Sequence, residues 1–144
     1  MIGRSFDAAF FNAVANHPDV RPFIGGKLNE TLDVTPILAD HGNYALAGQH
    51  GGFVYTWCAP GVYEVHTLIL PIGRGKWALD AARMSLAMMA GNGAETVWTR
   101  VREDMRAVRA FTIAAGMRPR GLKQFDLGGG AGVYAIYDWR PKCL

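Results

Sequence analysis

The spacing of apolar residues divides the first part of the chain into two helical segments and a loop. Apolar side chains recur at helical spacing over residues 5–17, and Ser5 stands where a helix N-cap is expected. Residues 35–40 predict a short helical turn capped by Thr35. Between the two, the prolines and glycines of HPDVRPFIGG predict a loop.

From residue 43 the pattern changes to short runs that are rich in β-branched and aromatic residues. Three such runs cover residues 43–49, 52–58 and 62–70, and turns that contain glycine or proline separate them. Runs so close together along the chain favour sequential strands in an antiparallel meander.

The second half of the chain alternates between helical spacing and the two-residue alternation of a strand. Residues 75–90 and 104–116 have helical spacing, while residues 95–101 alternate as a strand. The chain ends with two further strand-like runs, 121–127 and 133–139, joined by GGGAG. Glycine accepts the positive φ angles that a tight turn demands, so the sequence predicts a hairpin there.

Length and composition favour one domain with a sizeable core. The chain has 144 residues, of which 50% are hydrophobic and 19% are charged. It contains no apolar run long enough to cross a membrane and no secretory signal at its start, so we expect a soluble protein with no membrane association. Two cysteines and four scattered histidines give no basis for a disulfide framework or a metal site.

The positive charge is concentrated in residues 100–123. Seven basic residues stand there against two acidic ones: Arg100, Arg102, Arg106, Arg109, Arg118, Arg120 and Lys123 against Glu103 and Asp104. Such a segment serves an acidic partner or a nucleic acid, or it forms a solvated surface that binds nothing. For nucleic acid, Arg100, Arg102, Arg106 and Arg109 are the candidates, although the segment has few interleaved aromatic residues.

The order of the elements, with LPIGRGKWALDAAR in the middle and MRAVRAFTIAAGM after the next strand, resembles the GNAT superfamily of acetyl-CoA-dependent N-acyltransferases. The resemblance covers residues 43–139 and includes no counterpart of the family's first strand. It implies an α+β fold with a mixed, mostly antiparallel twisted sheet and helices on both faces. One domain, 1–144, would then comprise a helical part, 1–42, followed by the sheet and two main helices.

The first family motif lies at the turn after the central strand. There the family has Gln or Arg, then Gly three residues later and Gly or Ala five residues later, and backbone N–H groups bind the pyrophosphate of coenzyme A. Arg74 matches the first position, but Trp77 and Leu79 stand at the two small positions. The resemblance implies an obstructed site, unless Gly73 and Gly75 serve in a shifted register.

The second motif contains a tyrosine that commonly protonates the leaving thiolate, and Thr112 stands at its position. A threonine hydroxyl is a far weaker acid than a phenol. If acetyl-CoA binds nevertheless, the resemblance assigns backbone N–H groups of residues 68–70 to the oxyanion. The cofactor contacts that it implies are Leu68, Leu70, Arg74, Gly75 and Lys76.

Glu64 and His66 are the best candidates for a general base. They lie two residues apart in a strand-like run, hence on one face, near where the family places its base. The alternative is that they make polar cross-strand contacts without a catalytic role.

Trp57, Trp98 and Trp139 lie in apolar strand-like runs, so we expect them in the core, whereas Trp77 stands at a helix start. An exposed Trp77 would suit a protein interface better than a coenzyme pocket.

Two functional hypotheses follow from the resemblance. In the first, the fold lacks a working acetyl-CoA site and needs no cofactor. NHPDVRPFIGG, YALAGQHGGFVY, YEVHTLILPIGRG and AFTIAAGM look like small GNAT-like virion or head-assembly proteins of tailed bacteriophages. The partners would then be other virion or assembly proteins, in an oligomer or larger assembly, and the location would be the virion or the host cytoplasm. In the second, the chain is an N-acetyltransferase that uses acetyl-CoA on a small amine or a protein amine.

Overall fold

The computed structural model describes residues 1–25, 29–127 and 130–142. Seven strands form one sheet in the spatial order β1-β2-β3-β4-β5-β7-β6. The strands are Gly3–Arg4 (β1), Tyr44–Gly48 (β2), Gly51–Ala59 (β3), Val62–Ile69 (β4), Thr96–Arg102 (β5), Arg118–Asp126 (β6) and Ala131–Trp139 (β7). The α-helices are Ala8–Ala15 (α1), Thr35–Ala39 (α2), Lys76–Gly91 (α3) and Arg106–Ala114 (α4), and 3₁₀ turns cover Arg21–Phe23 and Pro71–Gly73.

The sheet is mixed, with one parallel contact among antiparallel ones. The strands β2, β3 and β4 form the predicted meander, and β6 and β7 form the predicted hairpin. Among the described strands, β4 and β5 alone pair in parallel, because α3 carries the chain from the end of one to the start of the other. The expected α+β class with a mostly antiparallel sheet is confirmed.

Helices cover both faces of the sheet, and the alternation of side chains along each strand supplies two separate cores. Phe53 and Tyr55 of β3 point to the α3 and α4 side, where Val97 and Tyr137 are also buried. Val54, between them in sequence, points the other way into a cluster with α1 and α2. Because side chains alternate with a two-residue period, neighbouring strand residues pack against different helices, either α3 and α4 or α1 and α2.

Three local predictions are wrong in the N-terminal part: the lack of a first strand, the Ser5 cap and the Thr35 cap. A first strand does exist: Gly3 and Arg4 pair with β2, but two residues are too few to show a period. The cap of α1 is Asp7, whose Oδ1 accepts from the Phe10 N–H at 3.1 Å. Ser5 instead accepts from the Asp7 N–H.

Thr35 does not cap α2 but begins it. Asp33, two residues earlier, accepts hydrogen bonds from both the backbone N–H and the hydroxyl of Thr35. These bonds and the partner Asn12 hold the pKa of Asp33 below its usual value.

The expected core positions of two tryptophans are also wrong. Trp57 is 51% exposed; it lies in the last four residues of β3, none of which is buried, whereas the first five are. Trp98 belongs to neither buried cluster and is half-buried. The glycine-rich turn predicted at 128–132 lies partly outside the described residues. No helix among the described residues combines the length and apolarity needed to cross a membrane.

A buried hydrogen bond fastens α3 to the centre of the sheet. The hydroxyls of Tyr55 and Ser85 lie 2.6 Å apart, both residues are fully buried, and Ser85 Oγ also donates to the Ala82 carbonyl. Burial raises the pKa of Tyr55 despite the opposing effect of the Ser85 hydroxyl. This hydrogen bond fixes the position of α3 relative to β3.

Ser85→Ala should destabilise the protein by about 1–3 kcal/mol, because it leaves the buried Tyr55 hydroxyl without a partner. Urea unfolding followed by circular dichroism measures the change. The double variant Tyr55→Phe with Ser85→Ala removes both groups and should recover part of the loss. A double variant less stable than Ser85→Ala would contradict this account.

Candidate functional site where β4 and β5 part

The two central strands separate after a short parallel contact. Glu64 opposite Trp98 is the last pair of the β4–β5 ladder. Beyond it β4 stays paired with β3 as far as Ile69, and β5 stays paired with β7 as far as Arg102. Each strand follows its other neighbour, so a cleft opens between them.

Two side chains bridge the strands at the start of this cleft. Thr99 Oγ1 of β5 donates to the Val65 carbonyl of β4 at 3.0 Å. Arg100 Nε lies 3.1 Å from Glu64 Oε2, in an ion pair where both side chains are largely buried. Beyond the last backbone pair, these two side-chain contacts connect β4 to β5.

The structure brings both base candidates together, in different environments. Glu64 is 8% exposed and its carboxylate is held by Arg100. The His66 side chain is 43% exposed, and its Nε2 lies 3.7 Å from Glu64 Oε1 and 3.3 Å from Thr56 Oγ1. A carboxylate neutralised by a guanidinium is a poor proton acceptor, so His66 is the better base of the two.

Desolvation lowers the pKa of His66 below its ordinary 6.5, and the positive Arg100 lowers it further, while the negative Glu64 raises it. The imidazole is therefore neutral at pH 7, as a proton acceptor must be.

The three backbone amides that the resemblance assigned to the oxyanion, 68–70, do not all face the cleft. The Leu70 N–H donates to the His50 carbonyl at 2.9 Å, on the β3 side. Leu68 has the same parity and also faces β3, opposite Gly52. The residue between them, Ile69, directs its N–H toward the cleft and is the oxyanion donor that the geometry offers.

The turn into α3 keeps one feature of an anion site. Gly75 is the N-cap at φ 98°, and a side chain there would meet open space. No side chain caps this helix in the part of the chain that the structure describes, and its first internal bond runs from the Leu79 N–H to the Gly75 carbonyl. The preceding amides therefore face outward with the positive end of the helix dipole.

Basic side chains at this turn are engaged elsewhere. The guanidinium of Arg74 donates to the Asp19 carbonyl and stacks 5.3 Å from the ring centre of Phe23. The ammonium of Lys76 lies 2.6 Å from Asp80 one helical turn on. Both side chains therefore have partners within the chain, although the Lys76 pair is exposed and weak.

The Trp77 ring lies behind this turn, against the sheet. It stacks edge-on with His50 at 5.0 Å, and a Cβ on Gly73 would lie 3.1 Å from its Cε3. Leu79 packs on the α3-side core. One side of the glycine-bearing turn is thus filled by an aromatic ring, while the side at Gly75 is open.

Thr112 is buried at the position of the family's tyrosine. Its hydroxyl donates to the Val108 carbonyl of its own helix at 2.8 Å. A proton held by that carbonyl is not directed at a leaving group.

The four arginines predicted for nucleic acid do not form one surface. Arg100 crosses to Glu64 on the α1 side, whereas Arg109 lies on α4 and donates to the Tyr137 hydroxyl at 3.0 Å on the opposite face. Arg102 pairs with Asp104, and Arg106 begins α4. Within the described residues no group of three or more His, Cys, Asp or Glu side chains is placed to hold a metal ion.

Sequence reasoning missed Thr56, Thr99 and the role of Arg100 at this site. Their contacts join residues that lie far apart in the chain, and no short motif marks them. With the β3–β4 register known, the two-residue period places Thr56 on the same face of the sheet as His66.

Arg100→Gln should raise the pKa of His66, because it removes a positive charge and leaves Glu64 unpaired. Glu64→Gln should lower it. Proton-detected NMR titration of the His66 ring measures both shifts, and Arg106→Gln is the matched control with no expected effect. Shifts of the same sign in the two variants would contradict the arrangement described here.

Comparison with known proteins identifies the fold. No family model matches the sequence, and no curated protein matches it. Among solved structures, a ribosomal-protein-S5-alanine acetyltransferase from Vibrio fischeri superposes with TM-score 0.76 at 10% identity over 96% of this chain and 91% of that one. An acetyltransferase of the GNAT family from Bacillus anthracis gives 0.74 at 16% identity over 96% and 93%.

A third structure, spermidine N-acetyltransferase from Vibrio cholerae in complex with CoA and spermine, gives 0.74 at 13% identity over 95% and 93%. At such identities the likeness establishes architecture alone. The chain has the GNAT fold.

Proposed function

We propose that this GNAT-fold protein has lost a working acetyl-CoA site and acts through protein contacts. The observation that carries the proposal is the Trp77 ring, packed against Gly73 and His50 in the turn where the family pattern has small residues. A large ring at this position takes the space that a pyrophosphate would have on the Gly73 side of the turn.

The chemistry around the cleft supports the same proposal. Thr112 offers no phenolic acid, and its hydroxyl is bonded within α4. Glu64 is neutralised by Arg100, and Arg74 is turned toward Asp19. Three groups that an acyltransferase would use therefore make internal contacts instead.

Exposed apolar residues at the same turn support a protein partner. Ile72 is 77% exposed and Phe23 is 51% exposed, with the Arg74 guanidinium against the Phe23 ring. Aromatic, large aliphatic and arginine side chains in one patch are typical of protein interfaces. Together with the sequence resemblance to phage proteins, this patch favours a virion-associated or head-assembly component.

The alternative is an acetyl-CoA-dependent N-acetyltransferase. Two observations favour it: the opening between β4 and β5, and the uncapped N-terminus of α3 at Gly75. In that case His66 is the base, Ile69 supplies the oxyanion donor, and the amides after Gly75 meet the pyrophosphate.

Calorimetric titration with acetyl-CoA separates the two functions. The proposal requires a Kd above about 1 mM for the wild type. Trp77→Gly, which empties the Gly73 side of the turn, should improve affinity at least about tenfold. Trp57→Ala, which removes a tryptophan at the opposite end of β3 from the turn, is the control and should change nothing.

Tight, stoichiometric binding by the wild type would remove the proposal in favour of the alternative. Under the alternative, Glu64→Gln and His66→Gln report which group is the base through the loss of turnover. Circular dichroism confirms that each variant remains folded.

Co-sedimentation tests the assembly role. The proposal requires the chain to travel with a larger particle in lysates of producing cells, and Ile72→Asp should release it by placing a charge in the interface. A chain that remains in the slow-sedimenting fraction would contradict this role.

A further inference from the structure

One half of the sheet is left without a helix on the α1 side. The cluster beneath α1 and α2 takes its sheet residues from β2, β3 and β4, and none of its described members comes from β5, β6 or β7. On that side the outer three strands carry Trp98 and Arg100 of β5, Tyr134 of β7, and Lys123 and Phe125 of β6. We call these five side chains the open face.

Aromatic rings and cations alternate across the open face. The Arg100 guanidinium lies 5.5 Å from the Trp98 ring centre and reaches across β7 to lie 4.8 Å from that of Phe125. Lys123 lies 5.4 Å from the same Phe125 ring, and Tyr134 packs edge-on against it at 5.7 Å. Three rings on three adjacent strands thus form one half-buried surface.

Charge on this side of the outer strands is positive. Arg118 and Arg120 of β6 and Arg102 of β5 adjoin the open face, whereas the carboxylates there are already paired: Glu64 with Arg100, Asp138 with Arg120, and Asp104 with Arg102. The Arg102 and Arg120 pairs have exposed guanidinium groups, which exchange readily for another anion.

We propose that the open face binds single-stranded nucleic acid. Bases would stack on Trp98, Phe125 and Tyr134, while Lys123, Arg118 and Arg102 contact the phosphates. Arg100 is a positioning residue: its ion pair with Glu64 and its contacts with two rings hold those rings at a fixed separation. Aromatic platforms bordered by cations bind unpaired bases with little sequence preference.

The chemistry favours this ligand over an acidic protein or a duplex. An acidic peptide needs only cations for its binding. Three aromatic rings on three strands add nothing to that interaction. In a duplex the base faces are stacked on one another and cannot reach a flat sheet surface. The proposal uses none of the groups assigned to acetyl-CoA, so it stands or fails independently of the proposed function.

Fluorescence anisotropy with a labelled single strand of about 12 nucleotides tests the site, as DNA and as RNA in separate titrations. Phe125→Leu and Tyr134→Leu keep apolar bulk but remove the stacking ring, and each should weaken binding at least about fivefold. Lys123→Gln should reduce the slope of log K against log salt by about 0.7, the value for one phosphate contact on a single strand.

Two matched controls lie away from the open face. Phe6→Leu removes another exposed ring, and Arg106→Gln removes another exposed arginine of the basic segment; neither should alter affinity. Unchanged binding by folded Phe125→Leu and Tyr134→Leu would overturn the proposal. So would equal affinity for the matching duplex, or equal competition by poly-glutamate, which would assign the surface to an acidic protein.

Discussion

The structure depends on where the hydrogen bonds of β4 change partner. Up to Glu64 this strand pairs on both sides, and beyond it only β3 remains bonded to it. A sheet that loses a ladder at its centre must replace those bonds or expose backbone groups. Here Thr99 satisfies the Val65 carbonyl, and Arg100 joins the strands through Glu64. The cleft between β4 and β5 follows from this parting of the strands.

The same side chains that stabilise the parting limit what the cleft can do. Glu64 is useful as a base only when it is free to accept a proton, and its ion pair with Arg100 opposes that. Arg100 in turn lies against Trp98 and Phe125, so the cleft and the outer strands share one guanidinium.

Most of the fold could be predicted from the sequence, because period and turn residues act locally. The meander, α3, α4 and the last hairpin all appear where their spacing indicates. β1 was missed because two residues carry no period, and it forms only when β2 is present to pair with it. The cap at Asp7 was missed because Ser5, two residues earlier, is also of a type that caps helices. Trp57 follows the apolar pattern of β3 but lies in the exposed last part of the strand.

The site was less predictable than the fold, because it is made of cross-strand contacts. A basic segment read along the chain counts Arg100 and Arg109 together, although a strand and a helix direct them to opposite faces. Its aromatic partners were invisible for the same reason, since Trp98, Phe125 and Tyr134 lie on three strands and meet only through the β5–β7–β6 order. The sequence shows how many cations a segment contains. Binding depends on how many of those cations lie on the same face of the sheet as aromatic rings. Topology, rather than composition, therefore determines what this half of the sheet can bind.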